Sequence, residues 1–304
     1  NNIIVDDVVA NLNSLSLTAG GNIGLRNNIT SLGSQSFSGA VTLYGATVLT
    51  TTDSAVSFSS TVNSSTTTTN GNTISDANPL TIRAGGGDVT FVGTVGGDGR
   101  LGNVTLTARQ LTAGKINLQG TLSVSNSGVS VISGIIADGA SATYLSKAGT
   151  GTLTLSAANT YSGGTVVSAG TLKAGHDSAF GVGKVTVSSG ASLDIYGYAV
   201  ANDLDLAGSG VSNAGALQNT NTDQTGTPTL VGTVTLLDNT YIGGSANYIL
   251  DSSSSNISGA YSLTKVGGNT ITLSDANTYT GTTTISAGTL TLTGSLSSST
   301  DVSM

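Results

Sequence analysis

The chain has 304 residues, of which 8% are charged and 4% aromatic, with 43 Gly, 2 Pro, no Cys and a formal net charge of −7. This composition excludes a disulfide framework and thiolate metal sites, and its acidic balance argues against nucleic acid or anionic lipid as partner. A 37% hydrophobic content with low net charge argues against disorder, while the absence of Glu leaves little from which to build capped, salt-bridged surface helices.

The start, Asn1-Asn2-Ile3-Ile4, lacks Met and a signal peptide and reads as the interior of something longer. No apolar run approaches the roughly 18 residues of a membrane span. In the first half, three Phe-centred segments recur: Ser36 to Thr42, Ser57 to Asn63 and Thr90 to Gly96. Their shared alternation predicts strands with Phe37, Phe58 and Phe91 on one face. The first two Phe lie 21 residues apart, and the gap of 33 to the third holds one turn plus the polar insert Ser64 to Asn72, expected as a loop. Gly85-Gly86-Gly87 and Gly96-Gly97-Asp98-Gly99 lack the following helix and Lys of a phosphate cradle and read as turns.

The strongest signal is internal repetition. Residues 145–174, LSKAGTGTLTLSAANTYSGGTVVSAGTLKA, align without a gap on 263–292, LTKVGGNTITLSDANTYTGTTTISAGTLTL, with 18 of 30 positions identical. Each copy reads strand, turn, strand, turn, strand: Thr152 to Leu155 and Thr270 to Leu273 alternate at period two. The Ala-Asn-Thr-Tyr corner is assigned to Asn and Gly as residues tolerant of left-handed backbone, and a second turn is placed at Ala169-Gly170 and Ala287-Gly288. The repeat positions singled out are Lys147, Leu155, Asn159, Tyr161, Gly163, Gly170 and Leu172, and their counterparts Lys265, Leu273, Asn277, Tyr279, Gly281, Gly288 and Leu290.

Short strands with frequent turns fit a sandwich or barrel as well as a solenoid. Repetition decides for the solenoid, because a unit of about 20 residues cannot bury its own apolar face and stacked units share one core. The expectation is an all-β, right-handed parallel β-helix running as one continuous β-solenoid over 1–304. It divides into rungs 1–134, a first repeat region 135–184, linking rungs 185–256 and a second repeat region 257–304.

The pattern L-x-K-x-G-x-x-T-L-T-L-S-x-A-N-T-Y-x-G, present twice in near-identical form, resembles the passenger-associated transport repeat, also called the autotransporter-associated β-strand repeat. Val185 to Gly197 and Asn202 to Asn219 resemble the linking rungs of such passengers. Leu80 to Gly102 is similar to rungs of filamentous-haemagglutinin-like adhesins. The resemblance implies a type V secreted passenger of a Gram-negative bacterium, exported unfolded through an outer-membrane pore, and the lack of Cys suits such export. No translocator barrel or amphipathic C-terminal strand is visible, so the export route stays unassigned.

Since parallel β-helices also host polysaccharide enzymes, candidate sites need weighing. Asn221-Thr222-Asp223 superficially resembles a polygalacturonase motif, but its companion motifs are absent and Asp6-Asp7 lies far away; a solvated turn is the expectation. Asp203 and Asp205 share a strand face and could assist acid–base chemistry or bind Ca²⁺, against the plainer reading of outward residues alternating with Leu204 and Leu206. His176, the only histidine, precedes Asp177 and Ser178, yet a triad is defined by spatial geometry, and an exposed turn is expected. Tyr161 and Tyr279 could offer a sugar-stacking platform, but a structural place at the corner is favoured.

The expectation is therefore no catalytic, cofactor or metal site and no enzyme activity. The segment is read as an adhesive stalk on the bacterial outer surface. Its partner would be a protein or glycan of a host or neighbouring cell, or a second copy end to end, with no membrane insertion by this segment. A carbohydrate-active β-helix enzyme and a self-associating extracellular filament subunit are the alternatives.

Overall fold

Segments of three to six alternating residues bury an apolar face only by sharing it with neighbours, and in the computed structural model they do so by stacking in parallel and in register. The structure describes residues 1–69, 72–252, 257–297 and 300–303. The chain falls into two compact units, 1–163 and 164–304, and the boundary lies inside the first of the two repeat copies. Each unit is a parallel β-solenoid, as the sequence predicts. Among the described residues the helical content is one 3-10 turn, Val211–Asn213, and no helix is long and apolar enough to cross a membrane.

In the first unit, one inward ladder runs Leu17, Phe37, Phe58, Phe91, Ala113, Ile132, Leu155 on successive rungs. In-register parallel pairing places identical side chains about 4.8 Å apart, so the three Phe rings stack face to face. The centroids are 4.9 Å apart in both pairs, with interplanar angles of 10° and 6°. A second ladder runs Ile29, Leu49, Ile82, Leu106, Val124 and then Lys147. A third runs Ile3, Ile23, Val41, Val62, Val95, Ile116, Ile136.

The 33-residue step between Phe58 and Phe91 is a single rung, as expected. Its extra length is not a loop, however. Thr66–Thr69 and Asn72–Ser75 pair antiparallel with Thr69 opposite Asn72; Asn70 and Gly71 lie outside the described residues. A run of Thr reads as polar linker by composition, yet its β-branched side chains favour extended backbone, and the two arms satisfy each other's hydrogen bonds. Ser64, the expected first loop residue, instead closes the strand Val62–Ser64.

In the second unit, the main ladder is Leu172, Leu193, Leu217, Ile242, Lys265, Ile285. Beside it stand Thr165, Val185, Leu204, Val234, Ile257 and Leu230, Leu250, Leu273, Leu292. Leu155 and Leu273 are buried, and burying such a side chain stabilises by about 1.5–3 kcal/mol. Leu172 is buried, whereas its counterpart Leu290 is only half-buried and pairs with Ile271.

Candidate functional site

The repeat corner is the best-defined chemical feature of the chain, and its centre is a lysine. In Leu145-Ser146-Lys147 and Leu263-Thr264-Lys265 the lysine stands two residues from a leucine, so period-two geometry points both inward. Both lysines are 0% exposed. An ammonium has three donors and no acceptor, and buried charge persists only when hydrogen-bonded. The following turn supplies acceptors: Lys147 Nζ donates to Ala148 O at 2.7 Å and Gly149 O at 2.9 Å. Lys265 Nζ donates to Val266 O at 2.7 Å, Gly267 O at 2.8 Å and Ala287 O at 3.2 Å. Desolvation lowers both lysines from the ordinary value to about 8.

Glycine makes this turn possible. Gly149 and Gly267 adopt φ of 73° and 75°, which turns their carbonyls toward the ammonium at no steric cost. Gly170 and Gly288, placed at turns by the sequence, have φ of 66° and 72°. Gly163 and Gly281 serve differently: a Cβ would lie 2.6 Å from Thr143 O at the first and 2.3 Å from Tyr261 C at the second, so close approach of the neighbouring rung requires them.

The Asn of the corner acts through its side chain, not through left-handed backbone as expected. Neither Asn159 nor Asn277 has positive φ; Asp275, with φ 56°, takes that conformation. Asn159 is buried and its Oδ1 accepts from Ile136 N at 2.7 Å, one rung away. Asn277 Nδ2 donates to the carbonyls of Ser274, Asp275 and Ser295. Asn126, Asn202, Asn219 and Asn269 brace other corners in the same way. An amide carries both a donor and an acceptor and so can tie the free backbone groups of adjacent turns.

Tyr161 and Tyr279 are 0% exposed and present no surface to a sugar. The Tyr279 hydroxyl shares a 2.5 Å hydrogen bond with Thr283 Oγ1, and burial pushes its pKa up. Near Gly163, Asp138 accepts from Thr143 N at 2.7 Å, Ser162 N at 3.1 Å and Ser162 Oγ at 2.6 Å. Burial opposes its charge, but these donors carry its carboxyl below the usual range.

The remaining candidates do not converge. His176 is exposed and its Nδ1 accepts from Ser178 N at 3.0 Å in a local turn, while Asp177 accepts from Ala199 N at 2.8 Å on the neighbouring rung, so the three side chains are engaged apart from one another. Asp203 accepts from Thr233 N and Oγ1, and these bonds hold its carboxyl low. Asp205 pairs with Lys184 at 3.2 Å. The two carboxylates are thus separately engaged. Asn221 Oδ1 accepts from Asp223 N in a local turn, and Asp6 pairs with Arg26. Gly85 has φ 56°, and Gly86 N donates to Asp53 Oδ1 at 2.7 Å, a turn braced from the next rung. Gly96, with φ 71°, is likewise a turn residue. Among the described residues no group of three or more His, Cys, Asp or Glu could hold a metal.

The corner geometry therefore defines a repeat module of buried Lys, bracing Asn, buried Tyr and close-packed Gly. The passenger-associated-transport-repeat family matches at these segments, residues 145–174 and 263–295. The chain is also similar to the adhesin BmaC autotransporter of Brucella suis, 38% identical over 149 residues, which is 48% of this chain and 4% of that protein. Together these matches support an autotransporter passenger that carries transport repeats. The chain spans a small fraction of the curated relative's length. No solved structure matches it.

Proposed function

We propose that this segment is a structural and adhesive stalk of a surface-exposed or secreted type V passenger, and that it acts by binding rather than by catalysis. Two copies of the transport-repeat corner, each with its lysine sealed inside a parallel solenoid, carry this reading. Similarity to an autotransporter adhesin supports it. The rungs expose dense Thr, Ser and Asn, which suit contact with a protein or glycan of a host or neighbouring cell, and with it adhesion, aggregation or biofilm formation.

The test is to display residues 1–304 on a non-adherent Gram-negative strain and count cells retained on epithelial monolayers and on abiotic surfaces. Retention should rise several-fold over a strain displaying an unrelated solenoid of equal length. Equal retention by the two strains would remove the adhesive reading.

A further inference from the structure

The hairpin of Thr66–Thr69 and Asn72–Ser75 is inserted between rungs that still pair directly with each other, and inserts in solenoids commonly shape a binding face. It is firmly seated. Asp76 accepts from Ser65 Oγ and from Thr67 Oγ1, Asp76 N donates to Ser65 O at 2.9 Å, and Asn78 Nδ2 donates to Leu43 O and Ser65 Oγ. The Ser65 and Thr67 hydroxyls hold the Asp76 carboxyl below its ordinary range.

Beside this base opens a cavity of about 380 Å³ lined by Asn22, Thr42, Tyr44, Asn63, Thr66 and Asp98, among others. The groove is open to solvent, and its volume falls in the range of small-molecule sites, about 300–1,000 Å³. Tyr44 is 47% exposed. Its ring rests on Gly24, where a Cβ would lie 3.0 Å from Cε2, and the Arg26 guanidinium sits 5.2 Å from the ring centroid. The aromatic is thus held in place. Around it the lining is hydroxyls and amides, several prearranged: Thr42 Oγ1 donates to Asn22 Oδ1 at 2.9 Å, and Asp98 N donates to Asn63 Oδ1 at 3.3 Å.

We infer that this groove binds a neutral pyranose-containing oligosaccharide, with Tyr44 packing against the C–H face of a sugar and Thr42, Asn63, Thr66 and Asp98 meeting its hydroxyls. A half-exposed aromatic among paired donors and acceptors matches a ligand that is apolar on one face and hydroxylated at its rim. The choice of a neutral sugar follows from charge. The lining holds one carboxylate and no cation, and Arg26 beside it is already paired with Asp6. An acidic glycan would therefore enter against Asp98 without a partner.

This inference rests on the adhesive reading for its biology but not for its chemistry, and the experiment separates them. Saturation-transfer NMR and calorimetry of the full chain would use lactose, mannose and N-acetylglucosamine as neutral probes and sialyllactose as the acidic one. The expected result is binding of at least one neutral probe, weakened tenfold or more by Tyr44→Ala and several-fold by Asp98→Asn, but unchanged by Tyr261→Ala. Circular dichroism would verify that each variant is folded. No saturation transfer to any neutral probe, equal binding by Tyr44→Ala, or tighter binding of sialyllactose than of lactose would overturn it. Monolayer retention measured on the same variants discriminates the two ideas. Retention without sugar binding ends this inference alone, and sugar binding without retention ends the adhesive reading alone.

Discussion

The Phe-bearing rungs of the first unit and the lysine-bearing rungs of the repeats use one backbone arrangement for opposite purposes. At Phe37, Phe58 and Phe91, in-register pairing delivers three rings to a common stack, and the contribution is apolar burial plus ring contact, about 0.5–1.5 kcal/mol per pair beyond area. At Lys147 and Lys265 the same inward position receives an ammonium. Burial there is unfavourable by itself and is offset by carbonyls turned in by Gly149 and Gly267. The comparison teaches that a solenoid interior tolerates a charge where the adjoining turn can be shaped around it, and that glycine does the shaping.

The difference can be broken at several points. The largest expected effect is at the middle ring: Phe58→Ala removes both stacks and opens a cavity, destabilising the chain by about 3–5 kcal/mol in urea unfolding, whereas Phe58→Leu should cost well under half of that. Next comes the ammonium. Lys265→Ala leaves three carbonyls without their donor and a void, and should cost about 2–4 kcal/mol. Lys265→Met restores the volume but not the donors, and should cost less. If Met proved as costly as Ala, the hydrogen bonds and not the packing would carry the site.

A smaller effect concerns pH. Folding lowers both lysines from 10.5 to about 8, so between these values the unfolded chain binds more protons and stability rises with pH. Below pH 8 both states hold the proton and this contribution is flat. Tyr279, whose folded-state pKa is raised by burial, acts oppositely above about pH 10, where the unfolded chain loses its phenolic proton first. The rise is therefore best read from pH 8 to 9.5 as a shift of the urea midpoint. It should flatten in the Lys147→Met, Lys265→Met double variant. The smallest effect is on the outside: Lys184→Ala removes the exposed pair with Asp205 and should change stability by less than about 1 kcal/mol.

Much of this architecture was legible in the residues. Alternation and the 21- and 33-residue spacings gave the Phe face, because parallel register turns equal phase into a stack. The gapless repeat marked the corner. What it could not give was the physical office of each corner residue. A charged residue reads as surface by type, although Lys147 shares its parity with Leu145, and Lys265 with Leu263; that parity was the available signal for burial. Asn reads as a backbone-turn residue, and only coordinates reveal Asn159 reaching Ile136 on another rung. The hairpin was hidden because Ser and Thr tracts suit linkers and paired ribbons equally. The groove beside it had one trace in the sequence, the twelve residues by which the second Phe spacing exceeds the first.

The sealed lysines also turn the protein into its own probe. An amine-acylating reagent meets exposed Lys115 and Lys184 at once, while Lys147 and Lys265 stay shielded until their corners open. Peptide mass mapping over a time course would then give the opening rate of each corner separately, with no engineered label.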